Sequence, residues 1–445
     1  MEVSIQETAV VRAVKSPFDH DHVLSLSHVD MDRNLTVTLR YLRVYADNPG
    51  QEADPFHVIT AALSAALVRY YPFAGTLLRR ISDGRFELHC HAGDGVPVVR
   101  ASVNFPLSHV NNFDAEVDEE FSGRMLPDPD PDGSSIRPMT LQVTRFSCGG
   151  FVLGAAVHHA ICDGLGATLF FNAMAELARG SGQMTIDPIW DRTTLLGPRN
   201  PPRLEFPIQE FLSLDKGFSP YTGSGKRVVK ECFNVKAEWL DHLKKILHHQ
   251  SGSKFTTFEA LGAFIWRART KSCQVPIHEK VTFAYSINIR KIANPPLPAG
   301  YWGNGCVPMY VHLTAEEVAE QPIWKTADSI KKSKRNATAE YVSSFVDFQE
   351  LHYEDGISGG RRVSGFTDWR HLGHSTVDFG WRGPVAVVPL SRHLLGSVEP
   401  CFFLPGKETE TVKVLVHLED DVILSFRQEM DKLKNLQEYG LQSAI

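Results

Sequence analysis

Apolar residues recur at helical spacing at Phe56, Ile59, Leu63 and Leu67, which predicts an amphipathic helix over 54–70. Tyr71-Pro72 and Gly75 close it. Ahead of it, MEVSIQETAVVRAVK alternates apolar and polar positions and predicts a half-buried strand. After it, TLLRRI, RFELHCH and VPVVRA form a meander broken at Asp83-Gly84 and Gly93-Asp94-Gly95. MTLQVTRF alternates again, whereas GGFVLGAAV is an uncharged run of the kind a strand covered on both faces requires. That run leads into HHAICDGLG and a helix over 167–178.

The pattern then lapses. Residues 185–226 carry Pro188, Pro198, Pro201, Pro202, Pro207 and Pro220 with little periodicity. A loop of that length is uncommon inside one compact domain, so it reads as a crossover between two. The division expected is a first domain over 1–187, a crossover over 188–222 and a second domain over 223–445. Periodicity resumes with strand KRVVKECFNV, helices AEWLDHLKKILHH and FTTFEALGAFIWRARTK, and strand VTFAYSINIR. In that last strand Val281, Phe283, Tyr285, Ile287 and Ile289 share one face, which leaves Asn288 and Arg290 on the other. A helix over 323–334, a polar loop region, strand VKVLVHL and a final helix over 421–436 complete the chain. No solenoid-like repeat is present. The pattern predicts an α/β protein of two similar halves.

Composition narrows the function classes. Lys and Arg total 46 against 52 Asp and Glu, a net charge of −6, which excludes the basic surface that a nucleic-acid partner needs. The seven cysteines are scattered without a C-x-x-C pair, so neither a disulfide framework nor a zinc ribbon is indicated, and a reducing compartment is expected. No apolar run reaches the roughly 18 residues of a membrane helix, and the N-terminus reads as a strand and not as a signal peptide. A cytoplasmic protein with no membrane partner is expected.

The segment with most chemistry is His158-His159-Ala160-Ile161-Cys162-Asp163-Gly164. A buried strand ends in two histidines, and an Asp-Gly turn launches a helix. A histidine at a strand end is held by a rigid scaffold yet open to a cleft, as a general base must be, and its ordinary pKa suits neutral pH. Spacing alone leaves open a pair of core histidines beside an ordinary turn. His89 and His91 share a strand face but have no third ligand nearby in sequence, so no metal site is expected. Gly223 to Arg227 lacks the spacing of a phosphate loop. Lys331 to Arg335 reads as a solvated helix face, with a place near an anionic cosubstrate as the alternative.

HHAICDG resembles the H-x-x-x-D-G motif of the plant BAHD acyl-CoA-dependent acyltransferases, shared more loosely by chloramphenicol acetyltransferase and peptide-synthetase condensation domains. Asp378-Phe379-Gly380-Trp381-Arg382 resembles the family's D-F-G-W-G. Tyr70 to Gly75 resembles Y-Y-P-L-A-G, Gly300 to Asn304 resembles G-Y-x-G-N, and Thr367-Asp368-Trp369 resembles T-S-W. The five segments fall in family order over nearly all of the chain. Arg382, where the family has glycine, is the one departure, and it either sits on a structural loop or faces an anionic CoA group.

The resemblance implies two chloramphenicol-acetyltransferase-like domains, mixed sheets flanked by helices, joined by a long crossover loop. It implies His159 as general base for direct attack of the acceptor on an acyl-CoA thioester, with no metal and no cofactor beyond the acyl-CoA co-substrate. Asp163, paired with Arg290, and Gly164, Asp378 and Gly380 become structural. Trp369 becomes the candidate oxyanion donor through its indole N–H, with Thr367 lining the same site. Cys162 occupies a variable motif position and is set aside as a nucleophile. Within the family the chain looks most like the spermidine hydroxycinnamoyl and taxane acyltransferases, which favours a hydroxycinnamoyl donor and a polyamine acceptor. The run Asp347, Glu350, Glu354, Asp355 then offers carboxylates for distal ammoniums, Glu350 and Asp355 foremost, against the alternative of a solvated loop. O-acylation of an alcohol, thioester hydrolysis and a non-catalytic metabolite-binding relative are the competing readings. A monomer is expected.

Overall fold

The computed structural model describes residues 1–113, 119–127, 136–206, 227–353, 363–390, 400–406 and 411–437. In chain order its strands are β1 (Ser4–Arg12), β2 (His22–Ser25), β3 (Thr38–Tyr45), β4 (Thr76–Arg79), β5 (Phe86–Cys90), β6 (Gly95–Ser102), β7 (Met139–Arg145), β8 (Phe151–His158), β9 (Val228–Val235), β10 (Lys280–Asn288), β11 (Cys306–Thr314), β12 (Val363–Asp368), β13 (Ala386–Pro389), β14 (Pro400–Pro405) and β15 (Val412–Glu419). One six-stranded sheet runs β1-β6-β7-β8-β3-β13, a second runs β11-β10-β12-β14-β15-β9, and β2-β5-β4 form a small third. Both large sheets are mixed: β6 and β7 pair in parallel, as do β10, β12 and β14, and the other pairs are antiparallel.

Each half has its own core. The helices Pro55–Ala66 and Gly164–Ala178 pack together and bury Phe56, Ile59, Leu63, Phe170 and Met174 with the inner faces of the first sheet. Asp54 starts the former, its carboxylate accepting from the Phe56 N–H at 2.9 Å. The uncharged strand β8 is buried at all eight positions, as its composition predicts. In the second half Val281, Phe283, Tyr285 and Ile289 enter one core with the helices Ala237–Ser251, Thr257–Ser272 and Ile323–Ser333. Phe283 stacks on Phe366 of β12 with centroids 4.1 Å apart.

Two differences from the sequence reading matter. The stretch after residue 334, read as polar loop, holds the helix Ala339–Leu351, started by Thr338. Its apolar residues Tyr341, Val342, Phe345, Val346 and Phe348 are buried, and the serines and acids between them hide that stripe. A split at 188–222 also does not describe the sheets. Strand β13, from well past residue 222, pairs antiparallel with β3 as Ala386↔Val44 to Pro389↔Tyr41 and so lies in the first sheet.

Candidate active site

Strand β8 delivers two adjacent histidines into unlike surroundings. His158 completes the register opposite Thr38 and is buried against the Phe86 ring, centroids 5.5 Å apart. Burial, helped by His159 and Arg79, pushes its pKa down to about 3, so it is a neutral core residue. His159 leaves the strand, donating its backbone N–H to the Val37 carbonyl at 2.8 Å, and is only half-buried.

The imidazole of His159 is oriented by a residue from the other half. Its Nδ1 lies 3.1 Å from Asn304 Oδ1. The amide of Asn304 can face only that way, because its Nδ2 donates to Asp30 Oδ1 and to the His159 carbonyl, both at 2.8 Å. With oxygen turned to the ring, Nδ1 carries the proton and Nε2 keeps its lone pair. Asp30 is itself fixed: it takes the Asn304 backbone N–H at 2.8 Å and pairs with the fully buried Arg192 at 3.0 Å. The Arg192 guanidinium lies over Trp190 and Trp302, 3.8 and 4.8 Å from the ring centroids. Burial lowers the pKa of His159 from 6.5, against the opposing pull of Asp163, Asn304 and Asp30. The ring is therefore neutral at pH 7, with Nε2 able to take a proton.

Asp163 does not share that task. Its carboxylate accepts from Arg290 Nη1 and Nη2 at 2.8 and 2.9 Å, from the Gly305 N–H at 2.9 Å and from the Gly166 N–H at 2.8 Å. Burial alone would raise its pKa, but Arg290 and the two N–H donors outweigh it and hold the carboxyl below its ordinary value. Arg290 also donates to the Gly303 carbonyl at 2.9 Å. Asp163 is thus both the N-cap of the helix Gly164–Ala178 and the anchor of the Gly300–Gly305 turn. The approach is close: a Cβ on Gly166 would lie 2.0 Å from the Trp302 carbonyl oxygen, and one on Gly164 2.7 Å from Leu372 Cδ1. Trp302 crosses into the first core, 5.2 Å from Tyr70 and 4.8 Å from Phe73, so the Tyr70–Gly75 segment supports the same turn. Cys162 is buried, and burial raises its thiol far above neutral pH, which removes it as a nucleophile.

The third contribution comes from the end of β12. Trp369 is buried, donates its backbone N–H to Phe403 at 2.8 Å, and packs edge-on to Tyr41 and Phe402 at 6.0 and 5.1 Å. Leu372 carries that loop over Gly164, so the Trp369 segment stands above the start of the helix that follows His159. Thr367 is half-buried opposite Phe402 of β14.

Other sequence-derived candidates lie elsewhere or are occupied. Glu350, on the helix Ala339–Leu351, binds His28 Nε2 at 2.8 Å and pairs with Arg85, so its charge is answered inside the protein and the reason to place it at an ammonium is gone. Asp347 pairs with Arg199 at 2.6 Å. Glu354 and Asp355 lie outside the described residues, as does most of Gly223–Arg227. Lys331 donates to the Lys254 carbonyl and Lys334 to Glu259, at 2.9 and 2.8 Å. Asp378 turns its own loop, accepting from the Gly380 N–H at 2.8 Å, while Phe379 and Trp381 are buried against Tyr45 and Phe151. Arg382 is exposed and sits at φ +66°, the left-handed region that glycine enters freely.

Residues 1–433 match the sequence model of the Transferase family. The chain belongs to that family, the BAHD acyl-CoA-dependent acyltransferases. This acyltransferase is 32% identical to the spermidine coumaroyl-CoA acyltransferase of Arabidopsis thaliana over 97% of its own length and 96% of the relative's. It is 31% identical to the taxadien-5-alpha-ol O-acetyltransferase of Taxus chinensis, covering 88% of each chain. Its fold matches the crystal structure of vinorine synthase with a TM-score of 0.76 at 20% identity, over 95% and 96% of the two chains. It also matches F. sporotrichioides TRI101 in complex with coenzyme A and T-2, TM-score 0.68 at 16% identity, over 94% and 98%. Among the described residues of the enzyme, no helix is long and apolar enough to cross a membrane.

Proposed function

We propose that this acyltransferase moves a hydroxycinnamoyl or related aromatic acyl group from CoA to a polyamine such as spermidine, with His159 as general base. The observation that carries the catalytic part is the His159–Asn304–Asp30 chain, which leaves Nε2 as a neutral acceptor at the end of a rigid strand. The polyamine part draws on relatives such as the spermidine coumaroyl-CoA and sinapoyl-CoA acyltransferases, 32% and 33% identical.

The acceptor amine must arrive neutral, which an alkyl ammonium with a pKa of about 10 does only after losing a proton. Its nitrogen attacks the thioester carbonyl, Nε2 of His159 takes the proton released as the C–N bond forms, and the carbonyl π electrons move to oxygen. The Trp369 indole N–H is the donor proposed for that oxyanion, with Thr367 beside it. Collapse breaks the C–S bond, and the proton passes from His159 to the CoA thiolate. No covalent acyl-enzyme and no cofactor beyond acyl-CoA enters this scheme. Asp163 and Arg290 keep the two halves in register around His159, and Gly164, Asp378 and Gly380 serve the frame. We also propose a monomeric, cytoplasmic enzyme.

The test is release of free thiol from p-coumaroyl-CoA by the purified protein with spermidine, with a monolignol, or with no acceptor. Release that depends on spermidine supports the proposal. Release with the alcohol alone keeps His159 and replaces the acceptor, in line with relatives such as the fatty alcohol:caffeoyl-CoA acyltransferase of Arabidopsis thaliana. Acceptor-independent release indicates hydrolysis, and none at all a binding protein.

A further inference from the structure

With Glu350 held by Arg85, a cationic acceptor needs another carboxylate near His159. The deeply buried acids of the molecule mostly have a basic partner: Asp30 has Arg192, Asp163 has Arg290, Asp347 has Arg199, Glu259 has Lys334 and Glu231 has Arg427. Asp32 has none. It is 8% exposed, and its Oδ1 accepts from the Asn34 N–H at 3.0 Å and from Asn34 Nδ2 at 2.8 Å. Among the described residues its Oδ2 takes no hydrogen bond and no Lys, Arg or His pairs with it. Burial raises its pKa, and no cation acts against that rise. A buried carboxylate without a counter-charge is costly, and such groups gather where a ligand supplies the missing charge.

Its place in the fold says which ligand. Residues 27–37 form a strap that meets His159 twice: Asp30 through Asn304, and Val37 through the His159 N–H. Asp32 lies between those two points. Across from it, Tyr310 of β11 is within electrostatic reach and packs with Ala284 and Val363, on the face of the second sheet turned away from its own core. Asp32 therefore lies on the strap segment whose two ends are tied to His159, within electrostatic reach of the second sheet at Tyr310.

We infer that Asp32 receives the distal ammonium of a polyamine acceptor while its reacting nitrogen lies at His159 Nε2. This rests on the polyamine reading above and adds the residue that selects a charged acceptor. The ammonium supplies the counter-charge that the protein withholds from Asp32. An amine with a single nitrogen gains nothing from Asp32, since that nitrogen is neutral when it reacts.

The experiment compares wild type with Asp32→Asn, using p-coumaroyl-CoA as donor and either spermidine or n-butylamine as acceptor. Asparagine keeps the oxygen that accepts from Asn34, so the turn is retained. Expected is a rise of about tenfold in KM for spermidine, with kcat and the KM for p-coumaroyl-CoA unchanged and n-butylamine handled alike by both proteins. Asp32→Glu should recover part of the spermidine affinity, and the melting temperature of Asp32→Asn should equal or exceed that of wild type. An unchanged KM for spermidine overturns the inference, as does an equal loss with both amines or a lowered melting temperature with general loss. A wild type that acylates an alcohol but not spermidine fails earlier: it removes the polyamine reading itself, and Asp32 with it.

Discussion

The tautomer of His159 is set by an asparagine that donates both of its amide protons elsewhere. Asn304→Ala removes the acceptor at Nδ1 and frees the ring to turn or change tautomer. We expect kcat/KM to fall by about 10²-fold, by analogy with other residues that orient a catalytic or metal-bound histidine, while p-coumaroyl-CoA still binds. His159→Ala should abolish transfer with acyl-CoA binding intact; retained turnover in an initial-rate assay would remove the base. Because burial lowers the pKa of His159 in the free enzyme from 6.5, the acid limb of kcat/KM, read with an alcohol acceptor that does not itself titrate, should lie below that value, and a limb above it would contradict the assignment. At Arg382 the expectation concerns stability alone. A left-handed φ of +66° costs a non-glycine residue about 1–2 kcal/mol, and glycine's greater freedom when unfolded returns some of it, so Arg382→Gly should stabilise by up to about 1 kcal/mol in denaturant melts. The sequence shows that residue as a departure, but the reason for glycine there is visible only in its φ.

The helix Gly164–Ala178 and the Gly300–Gly305 turn act as one joint. Asp163→Asn removes a buried partner of Arg290, which should cost about 3–5 kcal/mol and reduce soluble yield together with activity. If turnover falls while the melting temperature holds, Asp163 has a chemical role instead. Gly166→Ala places a carbon against the Trp302 carbonyl, so the two elements must part; we expect a loss of about 1–3 kcal/mol and most of the activity, read by thermal denaturation and thiol release. At this scale the sequence was informative where a residue's environment repeats along one element. The alternation of β10 separated Phe283 and Tyr285 from the face leading to Arg290, and the uncharged run of β8 gave its burial. Partners across the halves were illegible from spacing, and the Asp163–Arg290 pair came only with the family resemblance. Nothing in the spacing joins Asn304 to His159 or Trp302 to Gly166, because those contacts exist only once two separate cores close on one another. Glu350 misled for the same reason: its partner Arg85 lies on the other half.

Over the whole molecule, buried neutral histidines make the fold sensitive to acid. His158 and His374 are both pushed down to about 3, by burial first, then by His159 and Arg79 for His158 and by Arg43 for His374. An unfolded histidine titrates near 6.5, so below that pH the unfolded chain binds protons that the folded chain cannot, and stability falls as pH falls. At pH 5 the two together should cost roughly 4 kcal/mol relative to pH 7.5, measured by urea unfolding. A midpoint that does not move would mean that both can take up a proton within the fold, and a loss of about half that size that one of them can. Asp163, held below its ordinary value, adds a further loss once pH drops through the carboxylate range. The two sheets themselves are not two inheritable blocks. Because β13 completes the first sheet beside β3, a chimaera that joins the first half of one relative to the second half of another also transplants a foreign edge strand into the borrowed half. Successful recombination should therefore require residues 386–389 to travel with the first sheet, making the exchangeable unit discontinuous in the gene.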